Sequence, residues 1–442
     1  MFQYADLELG LHNINEHHYK VEMRFTQPNS DADIRMGLKE QISFRLEILT
    51  LQHLITDPSE YGKTLSDILF ADANMLSGWQ QARTSAQTLG VPLRIRLLIG
   101  SNAPELNALY WEALADPNSK SPLFTGENVL IARYLSSNDW RPVKLRSKGA
   151  LKALTVAANP SDLTNYHFTP IDVVGELGRV KDALGNIPVT ELPGNGGNYA
   201  TIDNIIQNLR EGCDILYVVA HGTVVNGSPF LWLETGDGKV ARLHGDDFVT
   251  RLSELAQPPR LIVLASCESA GNGAGNAFQT LGPKLAEAGI PAVLAMQGRI
   301  SMNTIKKFMP VFFTELKKDG QIDRALAVAR GMVRGQNDFW MPVLFMRLKS
   351  GKIWSDDKQE PLNSVKLSIL KLFQDTNIST SNKLSLDTIA QHLNLSVKVT
   401  QVHLDDFVKR GWVTSEPRRA HGSLISYFYE ITSKGIEILE KE

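Results

Sequence analysis

Between Leu151 and Met346, short apolar runs alternate with amphipathic stretches of helical length. The runs are LKALTVAA (151–158), IPVTEL (187–192), DILYVVA (214–220), RLIVLAS (260–266), IPAVLAM (290–296) and WMPVLFM (340–346). A strand that is apolar on both faces must be covered on both faces, and a parallel sheet clothed by helices does this. Helices are expected near Asp172–Leu184, Thr201–Arg210, Gly245–Leu255 and Phe278–Ala288, with two more before residue 340. Residues 226–241 break the rhythm with Gly, Pro and two short apolar stretches, which reads as an inserted hairpin. The fold class is α/β, a mostly parallel sheet flanked by helices.

The flanks follow other patterns. Tyr19, Val21, Met23 and Phe25 alternate as paired strands do. Ile34 to about Leu89 reads as mostly helical, with Ile42, Leu46, Ile48 and Leu49 at helix-like spacing and Gly90 as a stop. Val91–Ile99 and Asn128–Arg133 read as strands, and PELNALYWEAL (104–114) as a helix with Pro just inside its start. Polar KSGKIWSDDKQEPLNS (349–364) is the clearest linker. Helices then follow over Val365–Phe373, Leu386–Leu393 and Val397–Arg410, the last closed by Gly411. Strands Trp412–Ser415 and Ile425–Ile431 around Arg418–Ser423, and a closing helix after Thr432, complete a winged-helix pattern.

A chain of 442 residues has room for about three domains of roughly 150 residues, so no metal or disulfide staple is required. With 46 Lys and Arg against 48 Asp and Glu the net charge is −2, unlike a chain that coats nucleic acid or an anionic membrane. Two cysteines, Cys213 and Cys267, exclude a disulfide framework and a Cys-rich metal site. The start, MFQYAD, lacks the basic and apolar regions of a signal peptide, and no apolar run approaches the ~20 residues of a membrane span. A cytoplasmic protein with reduced thiols and no membrane contact is expected.

In an open parallel sheet, sites form at the carboxyl ends of the strands. DILYVVA runs straight into His221-Gly222, and RLIVLAS into Cys267, 46 residues after His221. That separation holds one crossover to an adjacent strand, so both side chains can share one rim. A thiol with an ordinary pKa near 8.5 needs a neighbouring imidazole to be a good nucleophile at pH 7. His221 supplies the base, and the N–H groups of Gly222 and Cys267 form an oxyanion hole. A Cys closing a buried strand is commonly plain packing, and a His before Gly a turn residue. The joint placement, with the small residues SAGNGAG (269–275) after the Cys, favours catalysis. Asn159 and Asp162, at the end of the first run, are candidates to line the substrate pocket, although Asp162 also fits a loop cap. Glu268, beside the nucleophile, is a candidate to orient substrate, or is simply solvent-exposed. Cys213 precedes its strand, at the opposite end from His221, and takes no chemical role. Ser266 lacks a G-x-S-x-G elbow, and the Gly-rich run 271–275 lacks a dinucleotide fingerprint. His12, His17 and His18 have no companions at ligand spacing, so no metal and no cofactor are expected.

At these residues the chain resembles the CHAT proteases of clan CD, relatives of caspases and separase. The likeness lies in HG after an apolar strand, LIVLASCESAGNGAG, GIPAVLAM and NDFWMPVLF, and covers roughly residues 90–348. PELNALYWEAL is similar to the family's Trp-Glu element. The resemblance implies a caspase-like fold and peptide hydrolysis through an acyl-enzyme, with His221 as general base and acid, Cys267 as nucleophile and Gly222 as oxyanion donor. Two departures bear on specificity. Tyr217 stands where many members carry a second His, and Ala265 where metacaspases carry an acidic residue, so a basic P1 preference does not follow.

The expected organisation is an N-terminal pseudo-caspase-like regulatory region (1–148), a peptidase domain (149–350), a linker (351–363) and a winged helix (364–442). Family members often serve bacterial defence. The expected partners are therefore a protein substrate, for example an operon-encoded gasdermin-like protein, and a regulatory protein docking on 364–442. The competing reading is a winged-helix transcriptional regulator on a caspase-like scaffold. DNA is the less favoured partner, because helix Val397–Arg410 sets Asp405 and Asp406 against Lys398, Lys409 and Arg410. A structural adaptor with neither activity is a third reading.

Overall fold

The structure is a computed structural model. It describes residues 4–28, 30, 32–36, 42–135, 139, 141, 143, 145–194, 197–265, 277–298, 300–355, 364–374, 383–419 and 425–439. The chain divides into two units, Met1–Asp356 and Asp357–Glu442.

Strands β1 (Ala5–Asn15) and β2 (His18–Thr26) pair antiparallel, with Leu7, Leu9 and Leu11 opposite Phe25, Met23 and Val21 on a buried face. β3 (Asp33–Met36) and β4 (Ile42–Arg45) both pair with β2. The mostly helical expectation for 34–89 is corrected here, because helices begin only at α1 (Ile48–Gln52). In β4 the buried Ile42 and Phe44 alternate with outward Ser43 and Arg45, and Phe44 stacks on Tyr19 at 5.3 Å between centroids. A two-residue period thus overrides the longer helical one. α2 (Pro58–Leu69) and α3 (Ala73–Thr88) follow, N-capped by Asp57 and Asp72.

β5 (Leu93–Ile99) is parallel to β1 and to β6 (Val129–Tyr134). Between them, 104–114 forms two short 3₁₀ turns, Pro104–Ala108 and Trp111–Ala113, instead of one helix. The side chain of Arg133 takes the carbonyls of Asn107 (2.8 Å) and Leu109 (2.9 Å), which a helix would give to residues 111 and 113. Gly62 of α2 lies so close that a Cβ there would stand 2.0 Å from the Ala113 carbonyl oxygen. The turn is therefore pressed into the molecule rather than laid over it.

The remaining strands of this unit are β7 (Arg146–Ser147), β8 (Ala153–Ala157), β9 (Val189–Leu192), β10 (Ile215–Val219), β11 (His221–Val225), β12 (Ser228–Glu234), β13 (Val240–His244), β14 (Leu261–Ala265), β15 (Ala292–Met296), β16 (Pro342–Met346) and β17 (Trp354–Ser355). Helices α4 (Val173–Leu184), α5 (Ile202–Arg210), α6 (Gly245–Ser253), α7 (Ala277–Glu287), α8 (Met302–Asp319) and α9 (Ile322–Met332) run between them. The main sheet runs β3-β2-β1-β5-β6-β16-β15-β14-β10-β8-β9. It is parallel from β15 through β9 and from β1 through β16, with antiparallel junctions at β15/β16 and at β1/β2. Every residue of β8, β10, β14, β15 and β16 is buried. In β10, Ile215, Tyr217 and Val219 join one apolar cluster while Leu216 and Val218 join another, so the strand feeds a core on each face. This is an α/β fold with a large, mainly parallel sheet flanked by helices.

The expected hairpin at 226–241 is instead a separate antiparallel sheet of three strands, β11-β12-β13, and it begins at His221. Asn226 and Gly227 both take positive φ (50° and 78°), the geometry of a tight primed turn.

The second unit comprises α10 (Ser364–Leu372), β18 (Lys383–Ser385), α11 (Leu386–His392), α12 (Val397–Arg410), β19 (Val413–Arg419), β20 (Ile425–Ile431) and α13 (Ser433–Leu439). Its sheet is ordered β18-β20-β19, so a third strand joins the expected two, and β19 continues through the Arg418-Arg419 pair assigned to a loop. Leu404, Phe407 and Trp412 lie in its core.

Candidate active site

β10 and β14 are parallel neighbours with Val219 opposite Ala265. His221 stands two residues beyond Val219, and β14 ends two residues before Cys267. Cys267 and Glu268 lie outside the described residues. The imidazole of His221 is 1% exposed and stacks on Phe168, with ring centroids 4.8 Å apart and planes at 18°. Its Nε2 is 2.7 Å from the Thr169 carbonyl oxygen. A carbonyl only accepts, so Nε2 carries the hydrogen and the lone pair of the neutral ring sits on Nδ1. Nδ1 is buried and has no hydrogen-bond partner among the described residues. The ring is thus tied down at one edge, with its lone pair unmet at the other among the described residues.

Phe168 and Thr169 come from the loop after β8, the other neighbour of β10. That loop is stitched to β10, to itself and to the small sheet. Ala158 N–H donates to the Val219 carbonyl (2.9 Å) and Asn159 N–H to Glu234 Oε1 (2.9 Å). Asn159 Oδ1 accepts from Ile171 N–H (2.8 Å), and Asp162 Oδ1 from Val240 N–H (2.8 Å). These bonds make Asn159 and Asp162 struts of the loop. Glu234, buried, also accepts from Ala200 N–H through Oε2 (2.7 Å). Trp232, opposite His221 in β12, meets Phe168 edge to face at 4.7 Å. Gly222 is the second residue of β11 and pairs with Leu231. Thr169 and Phe168 had no signal in the sequence, since the first acts through its backbone and the second as an ordinary apolar side chain.

Burial holds the His221 imidazole below its ordinary value, and the hydrogen bond to Thr169 opposes this. The folded state thus prefers the neutral ring. Stabilisation from that preference is present above the ordinary imidazole pKa of about 6.5 and is lost as pH falls through the lower folded value. If His221 is the base, the acid limb of kcat/KM has its midpoint below about 6.5. A pH–rate profile checks this, and a midpoint above that value contradicts it.

A second polar centre lies inside the sheet. β6 and β16 pair only at Arg133↔Phe345 and Tyr134↔Met346. Arg133 there grips Glu112 with two bonds (Nε–Oε1 3.0 Å, Nη2–Oε2 2.7 Å) and reaches Gln297 Oε1 at 2.6 Å. Gln297, directly after β15, donates back to Glu112 Oε2 (2.7 Å). The Trp-Glu element is thus a brace between the first strands and the strand next to β14. Arg133 carried one visible signal, a cation within the apolar run VLIARY.

Cys213 is buried at the amino end of β10, 3.5 Å from the Asn208 carbonyl, and burial pushes its thiol pKa up. Among the described residues no His, Cys, Asp and Glu cluster could hold a metal, and no helix is long and apolar enough to cross a membrane.

The family model described as the CHAT domain matches residues 59–355. No curated protein matches the chain. Among solved structures, it is similar to a possible transcriptional regulator from Methanosarcina mazei Go1 (21% identity, TM-score 0.16), covering 18% of this chain and 66% of that one. It is similar to ZitR, a zinc-responsive MarR family member from Lactococcus lactis (18% identity, TM-score 0.15), over 20% of this chain and 55% of that one. This chain thus spans a little under two thirds of the first of these and just over half of the second. It is also similar to the Arg-specific cysteine proteinase gingipain R (12% identity, TM-score 0.40), over 67% of this chain and 75% of that one.

Proposed function

The chain belongs to the CHAT-domain family, and from that premise we propose that it is a cysteine endopeptidase with Cys267 as nucleophile and His221 as base. The observation that carries this reading is His221 itself, tied at Nε2 and without a partner at Nδ1 among the described residues, two residues past the end of β10, the neighbour of the strand after which Cys267 follows. Nδ1 takes the thiol proton as sulfur attacks the scissile carbonyl carbon. The N–H groups of Gly222 and Cys267 hold the oxyanion, and the imidazolium returns the proton to the departing amine. Water, deprotonated by the same nitrogen, then releases the acyl group. Glu268 orients the substrate, while Asn159 and Asp162 shape the adjoining loop.

The protein acts in the cytoplasm as a triggered effector of a bacterial defence or cell-death system, cutting an operon-encoded protein such as a gasdermin-like pore former. The second unit is a winged helix that docks a protein, either the trigger or the substrate. Its helix α12 exposes Val397, Val399 and Val402, the last 61% exposed. Nearby cations are bound within the unit, Arg410 to Asp406 (2.9 Å) and Lys383 to Glu416 (2.7 Å) and Glu430 (3.5 Å). An apolar face with internally paired cations suits a protein better than a phosphate backbone.

The test is to incubate the protein with the products of its neighbouring genes and identify new N-termini by mass spectrometry. Wild type is expected to generate one that Cys267→Ala does not. The same cut made by Cys267→Ala would end the assignment.

A further inference from the structure

The end of the sheet remote from His221 carries a cavity of about 450 Å³. Asp214 and Arg260 stand just before β10 and β14, and Arg347 just after the antiparallel β16, so all three mark that end. Arg141, Arg146 and Asp139 also line the cavity. Four guanidinium groups therefore face two carboxylates. Arg260 is paired with Asp214, and Arg141 clasps Asp139 with Nε–Oδ1 at 3.0 Å and Nη2–Oδ2 at 2.9 Å. These two pairs consume both acids.

Arg146 and Arg347 are the excess. Arg146 reaches the Gly212 carbonyl (3.2 Å) and Gln257 Oε1 (2.9 Å), and stands 3.6 Å from the already paired Asp214. Arg347 makes long bonds to the carbonyls of Asp139 (3.4 Å) and Arg141 (3.2 Å). Burial, and after it the charge of Arg146, push Arg260 down to about 10. Val143, Ala256 and Pro258 add an apolar wall.

We propose that this cavity binds a phosphorylated small molecule of nucleotide size, its phosphates taken by Arg146 and Arg347 and its organic part lying on the apolar wall. Two forks held mainly by neutral oxygens, beyond the two that the acids neutralise, suit a group with at least two negative charges and several acceptor oxygens, which guanidinium recognises bidentately. The volume falls within the usual range for small-molecule sites. Arg146 opens β7, whose partner β17 is the last described strand before residues 356–363, so a bound ligand would also fasten that ribbon.

The test is calorimetric titration of the full chain with pyrophosphate, ATP, adenosine and citrate. Pyrophosphate and ATP are expected to bind, ATP the more tightly, and adenosine not to bind. Arg146→Gln and Arg347→Gln should each weaken ATP binding at least about tenfold, with unliganded unfolding midpoints compared to wild type as the check of folding. Arg347→Lys, which keeps the charge and loses the fork, should fall between and decides the matter if a glutamine variant does not fold. Absence of binding by both phosphates, citrate binding as tightly as pyrophosphate, or ATP binding unchanged in the variants would each overturn the proposal.

Discussion

Replacing His221 with glutamine is expected to lower kcat/KM for peptide cleavage by about 10³- to 10⁴-fold while moving the unfolding midpoint little. The side-chain amide can still donate to the Thr169 carbonyl and pack against Phe168, so the contacts that hold the ring survive in kind. What disappears is the lone pair at Nδ1. In the proposed mechanism that lone pair takes the thiol proton and returns it to the leaving amine, so both transfers are lost with it. Two readouts separate this chemistry from a packing defect. The acid limb of the pH profile should vanish with the imidazole, and the loss should fall on kcat more than on KM, since binding groups are untouched. A variant within tenfold of wild type, with its acid limb intact, would remove His221 from the mechanism.

The parts of this arrangement that the sequence discloses are those written in side-chain type. ILYVV, LIVLA and AVLAM contain no charge, and all three are buried on both faces in neighbouring strands. Because His221 follows one of those runs by two residues, its place at the rim shared by the ends of β10 and β14 follows from strand order and register alone. The missing parts are backbone functions or long-range pairings. The Thr169 carbonyl fixes the tautomer of His221, yet any residue at 169 would supply a carbonyl. The helical spacing of Ile42, Leu46 and Leu49 hid β4, because Ile42 fits that spacing and the alternation of Ile42 with Phe44 is too short to stand out until β2 is known to lie beside it. Residues 104–114 read as helix by composition, but Arg133 takes two of the carbonyls that helix needs. Likewise, β1, β5 and β6 join the sheet built from the strands after residue 149 through β16, and nothing in the local pattern of 1–148 marks that continuity.

The second large effect is structural. Glu112→Gln is expected to destabilise the unit spanning residues 1–356 by about 3–5 kcal/mol, because it breaks a buried ion pair and leaves its cation behind. The cost is high here because Glu112 opposes two guanidinium groups. Arg133 is bonded to it directly, and Arg330, fully buried, is pushed down to about 10 by burial, with Glu112 raising it and Arg133 lowering it further. Neutralising Glu112 therefore strands two buried cations, even though glutamine keeps the shape and one acceptor. The double variant Glu112→Leu with Arg133→Met removes the pair together and should recover part of the loss. It should not recover all of it, since the carbonyls of Asn107 and Leu109 and the Gln297 side-chain oxygen then lose their bonds from Arg133, at about 1–3 kcal/mol for each group left buried. Thermal unfolding of the full chain, read on the transition of this unit, measures both variants. If Glu112→Gln lay within about 1 kcal/mol of wild type, the brace would be ornamental and the junction of β6 with β16 would rest on its two backbone pairs and apolar packing.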